Sequence, residues 1–285
     1  MPRTRCPSVL GLAHRFFEGD LMPGEAAARA GSTLGRPRSD DERAMVRSDL
    51  PAAPSSALSA GVDPVASNQA GADAAQGLRF PPNPSGLRVV VLISGGGSNL
   101  AALLAAQRSA GYGARIVAVG ADRHSAAGLK LARDAGVPTF VHRVGDYPDR
   151  EAWDLALTAQ TAFFQPGLVI SAGFLKLVGP HFLKRLSGRY INTHNALLPA
   201  FPGMHGPAEA LAYGVKVAGA TLFVVDAGMD SGPILAQVAV PVHDDDSEQS
   251  LTERIKQAER AQLVEQVSLM ARHGWTIHGR RVSIP

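Results

Sequence analysis

The sequence predicts an α/β fold, a doubly wound and mostly parallel sheet that ends in an antiparallel strand pair and a long helix. Three observations carry this reading. From Leu87 onward, short β-branched runs alternate with helical patterns. The first run, LRVVVLI at 87–93, is apolar throughout, as strands covered on both faces are. Toward the C-terminus the alternation gives way to two adjacent strand-like runs and one long amphipathic stretch.

In order, LRVVVLI reads as a strand and NLAALLAAQRSA as the helix that follows it. RIVAVGADR, AAGLKLARDAG and TFVHRV repeat the alternation as strand, helix and strand. DREAWDLALTAQTAFF is a helix, GLVISAGF a strand, GPHFLKRLSG a helix and YINTHNALL a strand. Strands and helices at this spacing give parallel pairs with crossovers on both faces. GATLFVVDAG and ILAQVAVPV then read as an antiparallel pair, and SLTERIKQAERAQLVEQVSLMARHG as a long amphipathic helix. Residues 87–285 therefore form one domain without internal repeats.

Residues 1–86 differ in kind. They are rich in Ala, Gly, Pro, Ser and Arg, as in PAAPSSALSAGVDPVASNQAGADAAQG, and hold no sustained period. Such a stretch cannot bury enough apolar surface to offset its ordering entropy, so it reads as a disordered extension or an over-extended gene start. A short helix capped by Ser39 and Asp40 is expected within it, at SDDERAMVRSDL.

Composition narrows the function classes. The 285 residues are 45% hydrophobic and 19% charged, enough for a sizeable core. A single cysteine, Cys6, excludes an internal disulfide and points to a reducing compartment, the cytoplasm. The net charge of +3 comes without a Lys/Arg block, which argues against a nucleic-acid partner. No apolar run is long enough to span a bilayer, and no targeting segment stands at the N-terminus, so no membrane partner is expected. Monomer and homodimer both stay open.

Three segments could carry chemistry. ISGGGSNL, at 93–100, joins the first strand to the first helix. Glycines admit close approach of a ligand and free amides at a helix start favour an anion, so Gly96, Gly97, Ser98 and Asn99 read either as a phosphate cradle or as a bare turn. The spacing matches neither a dinucleotide fingerprint nor a Walker loop, and no ribose-binding acid is evident in GADRH after the second strand. INTHNALLPAFPG, at 191–203, places Asn192 and His194 two apart in a strand, hence on one face at the carboxyl end where α/β sheets bind ligands. VVDAGMDSGPI, at 224–234, offers Asp226 and Asp230; the turn after Asp230 can aim its carboxylate back at the sheet edge, where it would favour imidazolium at His194. His124, His142, His181, His205, His243, His273 and His278 lack ligand spacing, and Asp244-Asp245-Asp246 lacks the rest of a calcium loop. No metal is expected.

Taken together and in order, ISGGGSNL, SAGFLKLVGP, INTHNALLPAFPGMHG, GVKVAGATLFVVDAGMDSGPI and IKQAER resemble the glycinamide ribonucleotide transformylases, folate-dependent formyltransferases of purine synthesis. The resemblance runs from about Leu87 to about Gly274 and implies their Rossmann-like formyltransferase fold. It implies catalytic positions at Asn192, His194 and Asp230. It implies a grip on the nucleotide phosphate by Gly97, Ser98 and Asn99 with Lys256, and on the ribose end by Glu259. It implies a folate wall from Lys176, Leu177, Val178 and the 226–230 loop, including Asp226, Ala227 and Gly228, with Arg150 near the folate's glutamate tail. The implied co-substrate is 10-formyltetrahydrofolate, the implied acceptor glycinamide ribonucleotide, and both partners are small molecules. Two departures stand out: Asn195 where the family prefers proline, and Phe223 where it commonly has histidine. Rival readings are a methionyl-tRNA formyltransferase, a formyltetrahydrofolate hydrolase, and a non-catalytic nucleotide-binding domain. The first carries an added C-terminal domain and the second a folded N-terminal one, and neither is expected here.

Overall fold

The computed structural model describes residues 77–285. Cys6, the expected Ser39–Asp40 cap and its helix, and the disordered reading of the N-terminal extension up to residue 76 lie outside the described residues. The described part is a ten-stranded sheet with helices on both faces. Its strands are β1 (Leu78–Phe80), β2 (Leu87–Ile93), β3 (Ala114–Ala121), β4 (Thr139–Val141), β5 (Leu168–Ser171), β6 (Tyr190–His194), β7 (Val217–Val224), β8 (Ile234–Pro241), β9 (Trp275–His278) and β10 (Arg281–Ser283). Its helices are α1 (Ser98–Ala106), α2 (Gly128–Asp134), α3 (Arg150–Phe163), α4 (Pro180–Arg185), α5 (Gly206–Tyr213) and α6 (Glu248–His273).

The sheet order is β1-β9-β10-β8-β7-β6-β5-β2-β3-β4. The run from β6 to β4 is parallel, β7 is antiparallel to β6, and β8 is antiparallel to β7. The doubly wound reading and the antiparallel pair at GATLFVVDAG and ILAQVAVPV thus correspond to observed elements. The chain moves outward from β2 through β3 to β4, then returns across α3 to β5 on the other side of β2. That reversal puts a switch point between β2 and β5, where open α/β sheets form a crevice.

The apolar run of β2 divides between two cores. Val89, Val91 and Ile93 face Leu100 and Leu103 of α1 and Leu263, Val267 and Met270 of α6. Val90 and Leu92 face Trp153 and Leu157 of α3 and Phe182 of α4. Each of these strand residues is at most 1% exposed, which is why the run shows no alternation. At about 25 cal/mol per Å² of buried apolar surface, such two-sided strands supply most of the driving force for folding. A third cluster joins Ala218, Ala220 and Val240 to Leu251 and Ile255 at the start of α6.

Three parts of the fold escaped the sequence reading. Strand β1 lies ahead of the Leu87 boundary and pairs antiparallel with β9, and Phe80 stacks on Trp275 with ring centroids 4.7 Å apart. The β9–β10 hairpin follows the long helix and continues the sheet beyond β8. Helix α5 fills the connection between β6 and β7. All three are short, and their periodic signal is correspondingly weak. No helix of the described residues is long and apolar enough to cross a membrane.

Candidate active site

The loops that leave the carboxyl ends of β2, β3, β5 and β6 meet around the switch point. After β2, the Ser94 N–H donates to the Gly173 carbonyl at 3.1 Å, and the Ser94 hydroxyl accepts from the Leu175 N–H at 2.8 Å. Those bonds join the glycine-rich loop to the loop after β5. Gly97 has φ +77° at the N-cap of α1, and a Cβ there would stand 2.9 Å from the Gly128 Cα. Only glycine satisfies both demands. No side chain caps α1 and no acid stands in its first turn, so its leading N–H groups are open to an anion. Gly96 and Ser98 are exposed beside them.

Asn99 is buried, and its side-chain amide donates to Oε1 of Glu259, itself buried on α6. This bond brings together two candidates far apart in sequence. Lys256 lies one helical turn before Glu259 on the same face of α6, and its ammonium is 3.5 Å from Glu253. Gly97, Asn99 and Glu259 therefore share one corner of the crevice, with Lys256 one turn earlier on α6 and its ammonium toward Glu253.

The strand period carries Asn192 and His194 to the carboxyl end of β6. They pair across the ladder with Phe223 and Thr221 of β7. His194 is 7% exposed; its Nε2–H donates to the Phe201 carbonyl at 2.8 Å, and its Nδ1 lies 3.6 Å from Oδ2 of Asp230. Asp230 has φ +50°, and its Oδ2 accepts from the Gly203 N–H at 2.8 Å. The 201–203 segment thus holds the imidazole with one backbone group and the carboxylate with another. Thr221 steadies the loop between: its hydroxyl donates to Ala196 O at 2.7 Å and accepts from Leu198 N–H at 3.0 Å. Among the described residues, no hydrogen bond engages the Asn192 amide.

Phe223 is 2% exposed and stands directly opposite Asn192 in the β6–β7 ladder. The Asn195 carbonyl packs against Gly206, where a Cβ would stand 2.9 Å away, but nothing in the structure explains its side chain.

The residues expected to form a folate wall lie on two separate loops. Leu177 is 69% exposed and Val178 is half-buried in the loop after β5. Arg150, at the start of α3, donates to the Leu177 carbonyl and stacks on Trp153 with its guanidinium carbon 4.5 Å from the ring. Lys176 reaches toward Asp122 at 3.6 Å rather than standing free. In the 226–230 loop, Asp226 closes on its own turn, accepting from the Gly228 N–H at 3.0 Å and the Ser231 hydroxyl at 2.8 Å. Ala227 and Gly228 are exposed, as are the apolar side chains of Met229 and Met204.

Two buried acids that sequence reasoning passed over organise these loops. Asp122 directly follows β3 in GADRH and pairs with Arg123 at 2.8 Å as well as with Lys176. Burial by itself would raise its pKa, but the Arg123 pair, the Ser94 hydroxyl and Lys176 together hold it below the usual carboxylate range. Asp154, on α3, accepts from the backbone N–H groups of Gly179 at 2.7 Å and His181 at 2.9 Å, fixing the start of α4 and the Leu177–Val178 loop before it. A sequence signal existed for Asp154: an acid between Trp153 and Leu157 on the buried stripe of α3 must find partners.

Comparison with known proteins follows this geometry. The formyl transferase family matches residues 87–267. The phosphoribosylglycinamide formyltransferase of Mycobacterium tuberculosis is 56% identical over 207 residues, covering 73% of this chain and 95% of that protein. The Escherichia coli phosphoribosylglycinamide formyltransferase is 36% identical over 175 residues, covering 61% of this chain and 82% of that protein. The crystal structure of glycinamide ribonucleotide transformylase 1 from Symbiobacterium toebii superposes with a TM-score of 0.69 at 41% identity, covering 71% of this chain and 95% of that one. The matched segment begins with β2 and extends into α6, so it holds every candidate residue from Gly96 to Glu259, and the chain belongs to the formyl transferase family.

Proposed function

We propose that the protein transfers the formyl group of 10-formyltetrahydrofolate to the amine of glycinamide ribonucleotide in purine biosynthesis. The observation that carries the chemistry is the approach of His194 to Asp230 at 3.6 Å, beside the unengaged amide of Asn192. The uncapped first turn of α1, with Lys256 and Glu259, takes the phosphate and ribose of the acceptor. The Leu177–Val178 wall and the exposed methionines take the folate ring, with Arg150 toward its glutamate tail.

In this reading the acceptor amine attacks the formyl carbon, and the carbonyl oxygen becomes an oxyanion. Collapse of the tetrahedral intermediate breaks the bond from carbon to the folate nitrogen. The amine's proton leaves and one proton reaches the departing nitrogen, so protons balance. His194 already gives Nε2–H to Phe201, which leaves Nδ1 as the nitrogen that, when it carries a proton, can donate to the oxyanion. A spacing of 3.6 Å to Asp230 exceeds a normal hydrogen bond, so Nδ1 is not committed to that carboxylate. The Asn192 amide supplies a second donor, and Asp230 assists the proton transfer. Positioning and hydrogen bonding supply the catalysis. The partners are small molecules and the setting is cytoplasmic.

The test is consumption of 10-formyltetrahydrofolate by the purified protein with and without glycinamide ribonucleotide. Turnover is expected only with the nucleotide, and equal turnover in water alone would indicate a hydrolase instead. His194→Ala should lower kcat by about a hundredfold or more while leaving the fold intact. Near-normal activity in that variant would refute the mechanism.

A further inference from the structure

Two adjoining cavities, of about 270 and 260 Å³, lie at the opposite edge of the sheet from His194. Their walls include Arg88 at the start of β2, Gly167 just before β5 and Arg189 just before β6, the amino ends of the parallel strands. The cavities share Gln165, Pro166 and Arg189. Arg79 and Arg88 complete the basic lining of the first, and Arg185 that of the second. No aspartate or glutamate lines either one. None of these four guanidiniums joins an ion pair among the described residues.

A structural account covers part of this arrangement. Arg88 donates to the carbonyl of Phe164, the C-cap of α3, at 2.7 Å, and Arg189 donates to the carbonyl of Arg185, the last residue of α4, at 2.9 Å. A helix C-terminus presents about half a negative charge, so two ends offset roughly one of the four positive charges. A surplus of about three is left facing the cavities. Arg189 is crowded as well, because burial first and then the neighbouring Arg185 charge lower its pKa. Planar guanidiniums around a concave wall suit phosphate oxygens, which they bind through paired N–H donors.

We propose that this arginine-lined groove binds a phosphate-bearing small molecule at a site separate from the carboxyl-edge crevice. The protein contains its own reporters, since it has two tryptophans, one on each side. Trp275 lines the groove and its indole N–H donates to Gly188 O at 3.0 Å, whereas Trp153 lies under Arg150 near the crevice.

The experiment titrates the full-length, nitrogen-15-labelled protein with inorganic pyrophosphate at constant ionic strength and follows both indole signals by NMR. A saturable shift of Trp275 with Trp153 unmoved is expected. The Arg185→Gln/Arg189→Gln double variant should bind about tenfold or more weakly, since each charge-assisted bond lost at a solvent-open groove is worth several-fold. The single Arg185→Gln variant, changed at an exposed side chain, should bind several-fold more weakly and guards against misfolding of the double variant. The proposal falls if Trp275 does not shift, if chloride shifts it equally, if only Trp153 moves, or if the well-folded variants bind like the parent.

Discussion

At Asp154 one buried carboxylate receives the N–H groups of Gly179 and His181, and a Cβ on Gly179 would stand 2.5 Å from its Cγ. Asp154→Asn keeps the shape but turns one acceptor into a donor that faces a backbone N–H. A cost of about 1–3 kcal/mol is expected, read from denaturant unfolding. In the activity assay, KM for the formyl donor should rise while KM for the nucleotide stays constant; equal rises would show that the residue does not act through the folate wall. At Phe223 the prediction concerns packing. Phe223→His puts a polar ring at a position only 2% exposed, and a loss of about 1–3 kcal/mol is expected by the same measurement. Asn192 and His194 were legible at this scale because period two in a strand fixes their shared face. The partner of His194, the Phe201 carbonyl, was not, because a backbone group carries no residue signature.

At the scale of elements, α6 joins the two halves of the proposed nucleotide site. Its buried Glu259 holds Asn99 at the start of α1, while its N-terminal end packs on β7 and β8 through Leu251 and Ile255. Gly97→Ala would force a side chain into positive φ against Gly128 and displace the first turn of α1. Weaker binding of the nucleotide is expected, with destabilisation of about 1–3 kcal/mol; unchanged KM would show that this turn does not hold the phosphate. Strand β1 depends on Phe80 and Trp275, so Phe80→Ala should lower stability by about 2 kcal/mol. The long alternating elements were legible because hydrophobic period distinguishes them. Strands β1, β9 and β10 were not, because three or four residues give too little period and are selected by their neighbours in space.

For the whole molecule, the crevice follows from topology: the reversal of strand order between β2 and β5 leaves their outgoing loops side by side. Asp122 couples those loops to global stability through its pairs with Arg123 and Lys176. Its folded pKa lies below the ordinary 3.8, so the unfolded chain binds the proton first. The stabilisation is complete above that value and is lost as pH falls through the folded pKa. Unfolding midpoints of the parent and Asp122→Asn should therefore differ at pH 7 and converge in strong acid. A constant gap would show that the ion pairs contribute nothing. The acidic character of GADRH was visible in sequence; its burial was not, because that depends on loops arriving from three separate strands.

The outermost strands of the sheet, β4 and β1, have three residues each, and β1 runs directly into Pro81 and Pro82. A long open border would offer rows of unpaired amides to another chain, inviting sheet-to-sheet stacking and fibril growth. Here both margins are blunted, one by brevity and the other by brevity and proline. Those two short margins offer little template for a strand of another chain.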